Sequence, residues 1–155
     1  MKRTLLVAAV SFAACAAFSP VQAKDSFDGP TVSERLESAH KAIKAKDYDR
    51  AMKELQAAVK DEPRNPDVHN LIGYTYRVRA NPDLPKSFEH YNLALKYNPN
   101  HKGTMEYMGE AYLMDKKPEE AEKMLTRLET TCGNQTCAEY QELFKAIADY
   151  KSAKK

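Results

Sequence analysis

The feature that most constrains this chain is a set of small and aromatic residues that recurs every 34 to 36 positions. Gly73 and Tyr76, for example, recur 36 positions later as Gly109 and Tyr112. A second set repeats at a similar interval: Ala51, Leu55 and Ala58, then Ser87, Tyr91 and Ala94, then Ala121, Leu125 and Leu128. A period of about 20 to 50 residues indicates a chain that stacks one supersecondary unit several times.

Each unit reads as a pair of helices. Apolar residues recur at helical spacing, and no run alternates with a period of two. In the first unit, Leu36 and Ile43 belong to one helical stripe and Leu55 and Val59 to the next, with only a short turn around Asp47 between them. Two helices joined by so short a turn lie antiparallel. The sequence therefore predicts an all-α fold.

The stretches that carry the pattern best resemble tetratricopeptide repeats (TPRs). They are 47–51 with Pro63, 71–76, and 107–112 with 118–121. The resemblance implies three repeats within 32–131, at about 32–65, 66–101 and 102–131, stacked as an α-solenoid. Small residues are expected where helices cross closely, with Tyr76 and Tyr112 filling the gaps beside Gly73 and Gly109.

The N-terminal region reads as an export signal over residues 1–23, followed by a flexible leader over 24–31. A basic start precedes an apolar run from Leu5 to Phe18, and the sequence predicts cleavage after Ala23. The run is shorter than the roughly 20 residues of a membrane-spanning helix. A periplasmic or secreted location is therefore expected for a bacterial protein, with no membrane span. A lipid anchor on Cys15 is the less favoured alternative.

Charge excludes two classes of partner. The chain has 24 basic and 22 acidic residues, and the totals become equal once Lys2 and Arg3 are removed with the signal. Nucleic acids and anionic membranes attract proteins with a broad basic field. Neither partner is expected.

The C-terminal region, 132–155, is predicted to contain a cysteine loop and a helix that caps the third repeat. Two cysteines remain after cleavage, and the export context favours a disulfide between Cys132 and Cys137. A redox-active thiol pair is the open alternative, and zinc is less favoured because no His pair lies nearby. Thr136 and Glu139 have the spacing of a capping box at the start of the helix.

No set of catalytic residues stands out. The four histidines are dispersed along the repeats without a His-x-x-x-His pair. Glu106 and Glu110 lie one helical turn apart, which is typical of a solvated or partner-facing patch. Methionines can bind Cu(I) in exported proteins, but their positions favour core packing. These methionines are Met105, Met108, Met114 and Met124. No enzyme activity, cofactor or metal is therefore expected.

What remains is a binding surface. The TPR resemblance implies that the first helix of each pair lines a groove that holds a partner peptide or helix. Tyr74 and Arg77 are the favoured anchors, because Tyr and Arg dominate interface hot spots. The Lys and Asn residues with which some TPR domains clamp a C-terminal carboxylate are absent, since Leu36, His40, Leu71, Gly103 and Tyr107 stand there. By repeat position the groove residues are Ser33, His40, Lys44, Asn70, Tyr74, Arg77, Glu106, Glu110 and Leu113.

The sequence therefore predicts a non-enzymatic protein-binding scaffold of the bacterial periplasm. Two alternatives stay open at this point. One is a thiol-redox or metal-handling accessory protein that uses Cys132 and Cys137. The other is a subunit of an envelope assembly complex that is anchored through a lipid on Cys15.

Overall fold

The predicted all-α fold is confirmed over residues 29–153, which the computed structural model describes. This part of the chain forms seven helices and no strand. Residues 1–28, with the predicted signal, Cys15 and most of the leader, lie outside the described residues. Between 29 and 153 no helix is long and apolar enough to cross a membrane. The helices are α1 Val32–Lys44, α2 Tyr48–Asp61, α3 Pro66–Val78, α4 Leu84–Tyr97, α5 Lys102–Met114, α6 Pro118–Cys132 and α7 Ala138–Ser152.

Polar side chains determine where several of these helices begin. Thr31 accepts a hydrogen bond from the backbone N–H of Glu34, and the Glu34 carboxylate accepts one from the N–H of Thr31. The capping box predicted for α7 is wrong. Cys137 is the N-cap residue and makes no side-chain capping bond, while the hydroxyl of Thr136 donates to Asn134 at 2.8 Å instead. The local turn at Asn134 has taken the hydroxyl that the box requires.

The turns inside the first and third helix pairs have the same construction. Lys46 and Lys116 each adopt a left-handed conformation with φ of 59°. The backbone N–H of the next residue then reaches back into the helix, from Asp47 to the carbonyl of Ala42 at 2.9 Å and from Lys117 to that of Tyr112 at 2.8 Å. This bonding satisfies carbonyls at the helix end and reverses the chain within two residues.

Small residues do lie where helices cross closely. A Cβ atom at Gly73 would come within 2.6 Å of the Tyr91 ring, and one at Gly109 within 2.6 Å of Leu143. The gap beside Gly73 is thus filled by Tyr91, which is completely buried, and not by Tyr76 as expected. Tyr76 and Tyr112 are only partly buried. The helical spacing of the sequence predicts these two tyrosines beside the glycines. In the structure, the gap next to each glycine is filled by a side chain from a facing helix, Tyr91 of α4 at Gly73 and Leu143 of α7 at Gly109.

The buried side chains form two clusters along the stack. One cluster joins α1, α2 and α3, and includes Leu55, Val68 and Ile72. The other joins α4, α5, α6 and α7, and includes Tyr91, Met105, Leu128 and Leu143. Helix α7 packs against both α5 and α6. It therefore covers the apolar surface that the third helix pair would otherwise expose.

Candidate partner-binding face

Four of the functional candidates meet where α3, α5 and α7 lie side by side. Helical spacing puts Tyr74 and Arg77 one turn apart on α3, and Glu106 and Glu110 one turn apart on α5. Helix α5 contacts both α3 and α7. The surface is called here the first-helix face, and its residues are Tyr74, Arg77, Glu106, Tyr107, Glu110, Glu139 and Glu142.

A pair of aromatic rings forms the centre of this face. The ring centroids of Tyr74 and Tyr107 lie 4.7 Å apart with an interplanar angle of 51°. Both side chains are only partly buried. Burial raises the pKa of Tyr74, and it raises that of Tyr107 to about 12 with help from the Glu106 charge. Both phenols are therefore neutral near pH 7 and can donate a hydrogen bond to a partner.

Arg77 holds the two rings and α5 together. Its guanidinium carbon lies 5.2 Å from the Tyr74 centroid and 5.5 Å from that of Tyr107. Its Nη2 atom pairs with Oε2 of Glu110 at 2.5 Å. Arg77 is only 8% exposed. A guanidinium with so little access to water keeps its geometry through its carboxylate partner and the ring faces.

Glu106 is in a different situation from Glu110. Within residues 29–153 its carboxylate has no hydrogen bond and no ion pair. Burial, followed by the negative charges of Glu110, Glu139 and Glu142, raises the pKa of Glu106 to about 7, against the opposing effect of Arg77. Like charges held close together in a partly desolvated site disfavour the ionised carboxylate. The face thus holds an acidic group that has no ion-pair partner within residues 29–153 and that Arg77 compensates only in part.

The comparisons with known proteins concern the fold alone. No protein-family model and no curated protein sequence matches the chain. Among solved structures, the first TPR domain of Spaghetti (RPAP3) bound to the HSP90 peptide SRMEEVD superposes with a TM-score of 0.67 at 20% identity, over 79% of this chain and 94% of that one. The first TPR domain of human RPAP3, solved by NMR, gives a TM-score of 0.64 at 20% identity, over 79% of this chain and 97% of that one.

The chain has the TPR fold. In this fold, α1, α3 and α5 are the first helices of three pairs, and α7 continues their series without a partner helix after it in residues 29–153. The predicted groove residues fall on these first helices, but they do not share one environment. Tyr74, Arg77, Glu106 and Glu110 come together, and the others lie elsewhere.

Five of the predicted groove residues do not belong to this cluster, and one of them is Ser33, which is exposed on α1. Asn70 and Leu113 are buried, and Oδ1 of Asn70 accepts a hydrogen bond from Thr104 at 3.1 Å. Asn70 thus links α3 to α5 and is not presented to a partner. His40 and Lys44 are exposed on α1, without a hydrogen bond or ion pair in the described part of the chain. The position of a residue in its own helix predicts the side of the helix on which it lies, but not whether a neighbouring helix covers it.

Sequence reasoning missed three members of the first-helix face, Tyr107, Glu139 and Glu142. Tyr107 was considered only as a departure from the carboxylate clamp. The other two lie in α7, whose apolar stripe predicted a capping helix and nothing more. The available signal was the order of the helices, because α7 follows a second helix and so takes the place of a fourth first helix.

The histidines and most of the methionines, which could in principle bind a metal ion, have structural roles. The buried His69 places Nε2 2.9 Å from the carbonyl oxygen of Pro63 and Nδ1 3.1 Å from Nδ1 of His90. Burial, followed by the charge of His69, lowers the pKa of His90. The histidines are thus less dispersed than expected. Among the methionines, Met114 is exposed, whereas three are buried: Met105, Met108 and Met124.

The structure joins Cys132 and Cys137 by a disulfide at the α6–α7 connection. The carboxylate of Glu139 lies within 4.8 Å of both sulfur atoms, which makes these three residues the one potential metal-ligand group found in residues 29–153. Sulfur atoms that are bonded to each other do not provide the thiolates that metal ions require. In this state the bridge connects α7 to α6 close to Glu139 of the first-helix face.

Proposed function

We propose that this protein is a non-enzymatic scaffold that holds a protein partner on the first-helix face. The observation that carries the proposal is the partly exposed Tyr74–Tyr107 ring pair, which Arg77 and Glu110 hold in place. Rigid aromatic side chains lose little conformational freedom when a partner covers them. The RPAP3 domain with the same fold was solved with a bound peptide, which supports a peptide segment as the form of the ligand.

A crosslinking pull-down from periplasmic extract tests this proposal. The full-length protein is expressed with its signal and recovered after export, and it is compared with the variant Tyr74→Ala. Tyr112→Ala is the matched control, because Tyr112 is also a partly buried tyrosine but packs against Phe88 at a centroid distance of 4.7 Å, away from the ring pair. Circular dichroism verifies that both variants fold.

The expected result is a partner that the wild type and Tyr112→Ala recover and that Tyr74→Ala loses. Recovery of the same partners by all three proteins would place binding on another surface and contradict the proposal. Arg77 is unsuitable for this test, because an acidic residue there would bury a second carboxylate against Glu110 and destabilise the fold.

We also propose that the protein is exported and processed after Ala23, to act in the periplasm of a bacterium. The basic start, the short apolar run and the small residues before Lys24 support this proposal. The intact mass of the exported chain is the direct measurement. A chain that begins at Lys24 is expected, whereas an acylated chain that begins at Cys15 would show lipid anchoring instead.

A further inference from the structure

The first-helix face carries four carboxylates and one guanidinium, so its own side chains leave an excess of negative charge. Arg77 lies within the face and is already paired with Glu110, and Lys145, whose charge interacts with that of Glu142, is paired with Asp149. In residues 29–153, Glu106, Glu139 and Glu142 form no ion pair. All three nevertheless lie close enough for the charges of Glu139 and Glu142 to act on Glu106. Three carboxylates on one partly buried face thus have no ion-pair partner within residues 29–153, although the charge of Arg77 acts on Glu106 and that of Lys145 on Glu142.

We propose that this face binds a basic segment of a protein partner, with a Lys or Arg side chain of the segment paired to Glu106 and the α7 carboxylates. This inference rests on the proposed function and specifies the chemistry of the partner. It assigns α7 a part in recognition in addition to its part in covering the core.

An independent observation shows that this face can hold a cation. The guanidinium of Arg77 lies over both tyrosine rings, at 5.2 and 5.5 Å, and pairs with Glu110 at 2.5 Å. A carboxylate beside aromatic faces is a favourable site for a guanidinium or ammonium group. Glu106 precedes Tyr107 on α5, and its charge acts on both phenols. An incoming cation would meet the same combination of groups around Glu106.

Burial and charge explain why a cation would be favoured there over an anion. The raised pKa of Glu106 shows that its ionised form is destabilised by burial and by the carboxylates of Glu110, Glu139 and Glu142. A cationic side chain relieves that repulsion, whereas an acidic peptide adds to it. The peptide SRMEEVD bound to the RPAP3 domain contains three acidic residues. Such a peptide is not expected on the face described here.

Selection from a random dodecapeptide library displayed on phage tests the inference at physiological ionic strength and about pH 8. The targets are the exported wild-type protein, the variant Glu106→Gln with Glu142→Gln, and the control Glu89→Gln with Glu119→Gln. The control removes the same charge from exposed positions on α4 and α6. The variant is expected to fold, because it removes a destabilised carboxylate.

The wild type and the control are expected to enrich peptides with two or more Lys or Arg residues, and the variant is not. Enriched peptides, resynthesised with blocked ends, should bind the variant at least about tenfold more weakly than the wild type in fluorescence anisotropy. Calcium chloride or EDTA should leave this binding unchanged. A requirement for calcium would show that the carboxylates bind a metal ion and would overturn the inference.

A parallel selection on Tyr74→Ala separates this inference from the proposed function. If Tyr74→Ala loses the peptides but the wild type enriches uncharged or acidic ones, the cationic partner is wrong and the binding face stands. If the wild type and Tyr74→Ala enrich the same peptides, both proposals are wrong. Equal loss of basic peptides by the Glu106→Gln, Glu142→Gln variant and by the control would show that the net charge of the protein, and not this face, attracts the peptides. That result would also overturn the inference.

Discussion

At the scale of single residues, Glu106 is the least compensated group of the first-helix face. Its carboxylate has no ion pair in residues 29–153, although Arg77 lies close enough to lower its pKa. Natural proteins retain such destabilised groups where binding or catalysis needs them. A structural role would predict the opposite, because a solvated or neutral side chain at this position would make the fold more stable. Glu106 therefore links the stability of the protein to its binding chemistry.

Replacing Glu106 by Gln should stabilise the protein in a pH-dependent manner. The folded-state pKa of about 7 lies above the ordinary glutamate pKa of 4.5, so folding favours the protonated form. The contribution of Glu106 to wild-type stability should therefore be most favourable below about pH 4.5 and should become less favourable as the pH rises through 7. The full shift corresponds to roughly 3 kcal/mol, and screening by solvent reduces the expected gain of Glu106→Gln at pH 8 to about 1–2 kcal/mol.

Urea unfolding at about pH 4.5 and pH 8 measures this difference. The gain of Glu106→Gln over the wild type should be close to zero at the lower pH and complete at the higher one. Glu119→Gln is the control, because Glu119 is exposed on α6. An equal gain at both pH values would show that the carboxylate is not destabilised by its neighbours.

At the scale of the helices, two glycines determine how closely neighbours approach. Gly73 faces the rigid ring of Tyr91, with the backbone oxygen of Ser87 3.1 Å from the position of a Cβ atom. Gly109 faces the flexible end of Leu143. Gly103, also on α5, has its nearest neighbour at 3.7 Å. The three positions share helical geometry but differ in the space around them.

Alanine at these positions should produce three different effects on stability. Ala has a higher helix propensity than Gly by about 1 kcal/mol, so Gly103→Ala should stabilise the protein by about 0.5–1 kcal/mol. Gly73→Ala should destabilise the protein by about 1–2 kcal/mol even when its gain in helix propensity is included, because the Tyr91 ring and the α4 backbone must move. Gly109→Ala should fall between them. Chemical denaturation provides the values, and a reversed order of Gly73→Ala and Gly103→Ala would contradict the packing described here.

The helices themselves could be predicted well from the sequence, and the contacts between them could not. The repeat period, the prolines and the apolar stripes predict all seven elements. Which side chain crosses to a neighbouring helix depends on tertiary packing, as with Tyr91 beneath Gly73 and His69 against His90. The same reason explains the candidate face. Tyr74 and Glu110 could be predicted from register, whereas Glu139 required knowledge that α7 packs on α5.

At the scale of the whole molecule, the fold is a linear stack in which stability is expected to decrease toward the ends. The α1–α3 and α4–α7 clusters are joined by α3 and α4, and by bonds between residues one repeat apart. His101 Nε2 lies 2.9 Å from Asp67, and Thr104 donates to Asn70 at 3.1 Å. Within residues 29–153, helix α7 packs on α5 and α6, and the disulfide ties it to α6. The bridge therefore acts mainly on the end of the stack that carries Glu139 and Glu142.

Replacing both Cys132 and Cys137 by Ser should lower the free energy of unfolding by about 2 kcal/mol, the value expected for so short a ring. Hydrogen exchange should show the loss mainly in α7, with little change in α1 and α2, because the effect spreads through neighbouring helices only. Reductant should reproduce the pattern in the wild type and leave the variant unchanged.

Loss of protection in α7 should also weaken recognition of a basic segment, because Glu139 and Glu142 would no longer be held against α5. We expect the double Ser variant to bind a selected basic peptide more weakly than the wild type, and reductant to weaken binding by the wild type alone. Equal loss of protection from α1 to α7 would contradict this view, since it would show that the stack unfolds as one unit and that the bridge supports the whole array rather than its acidic end.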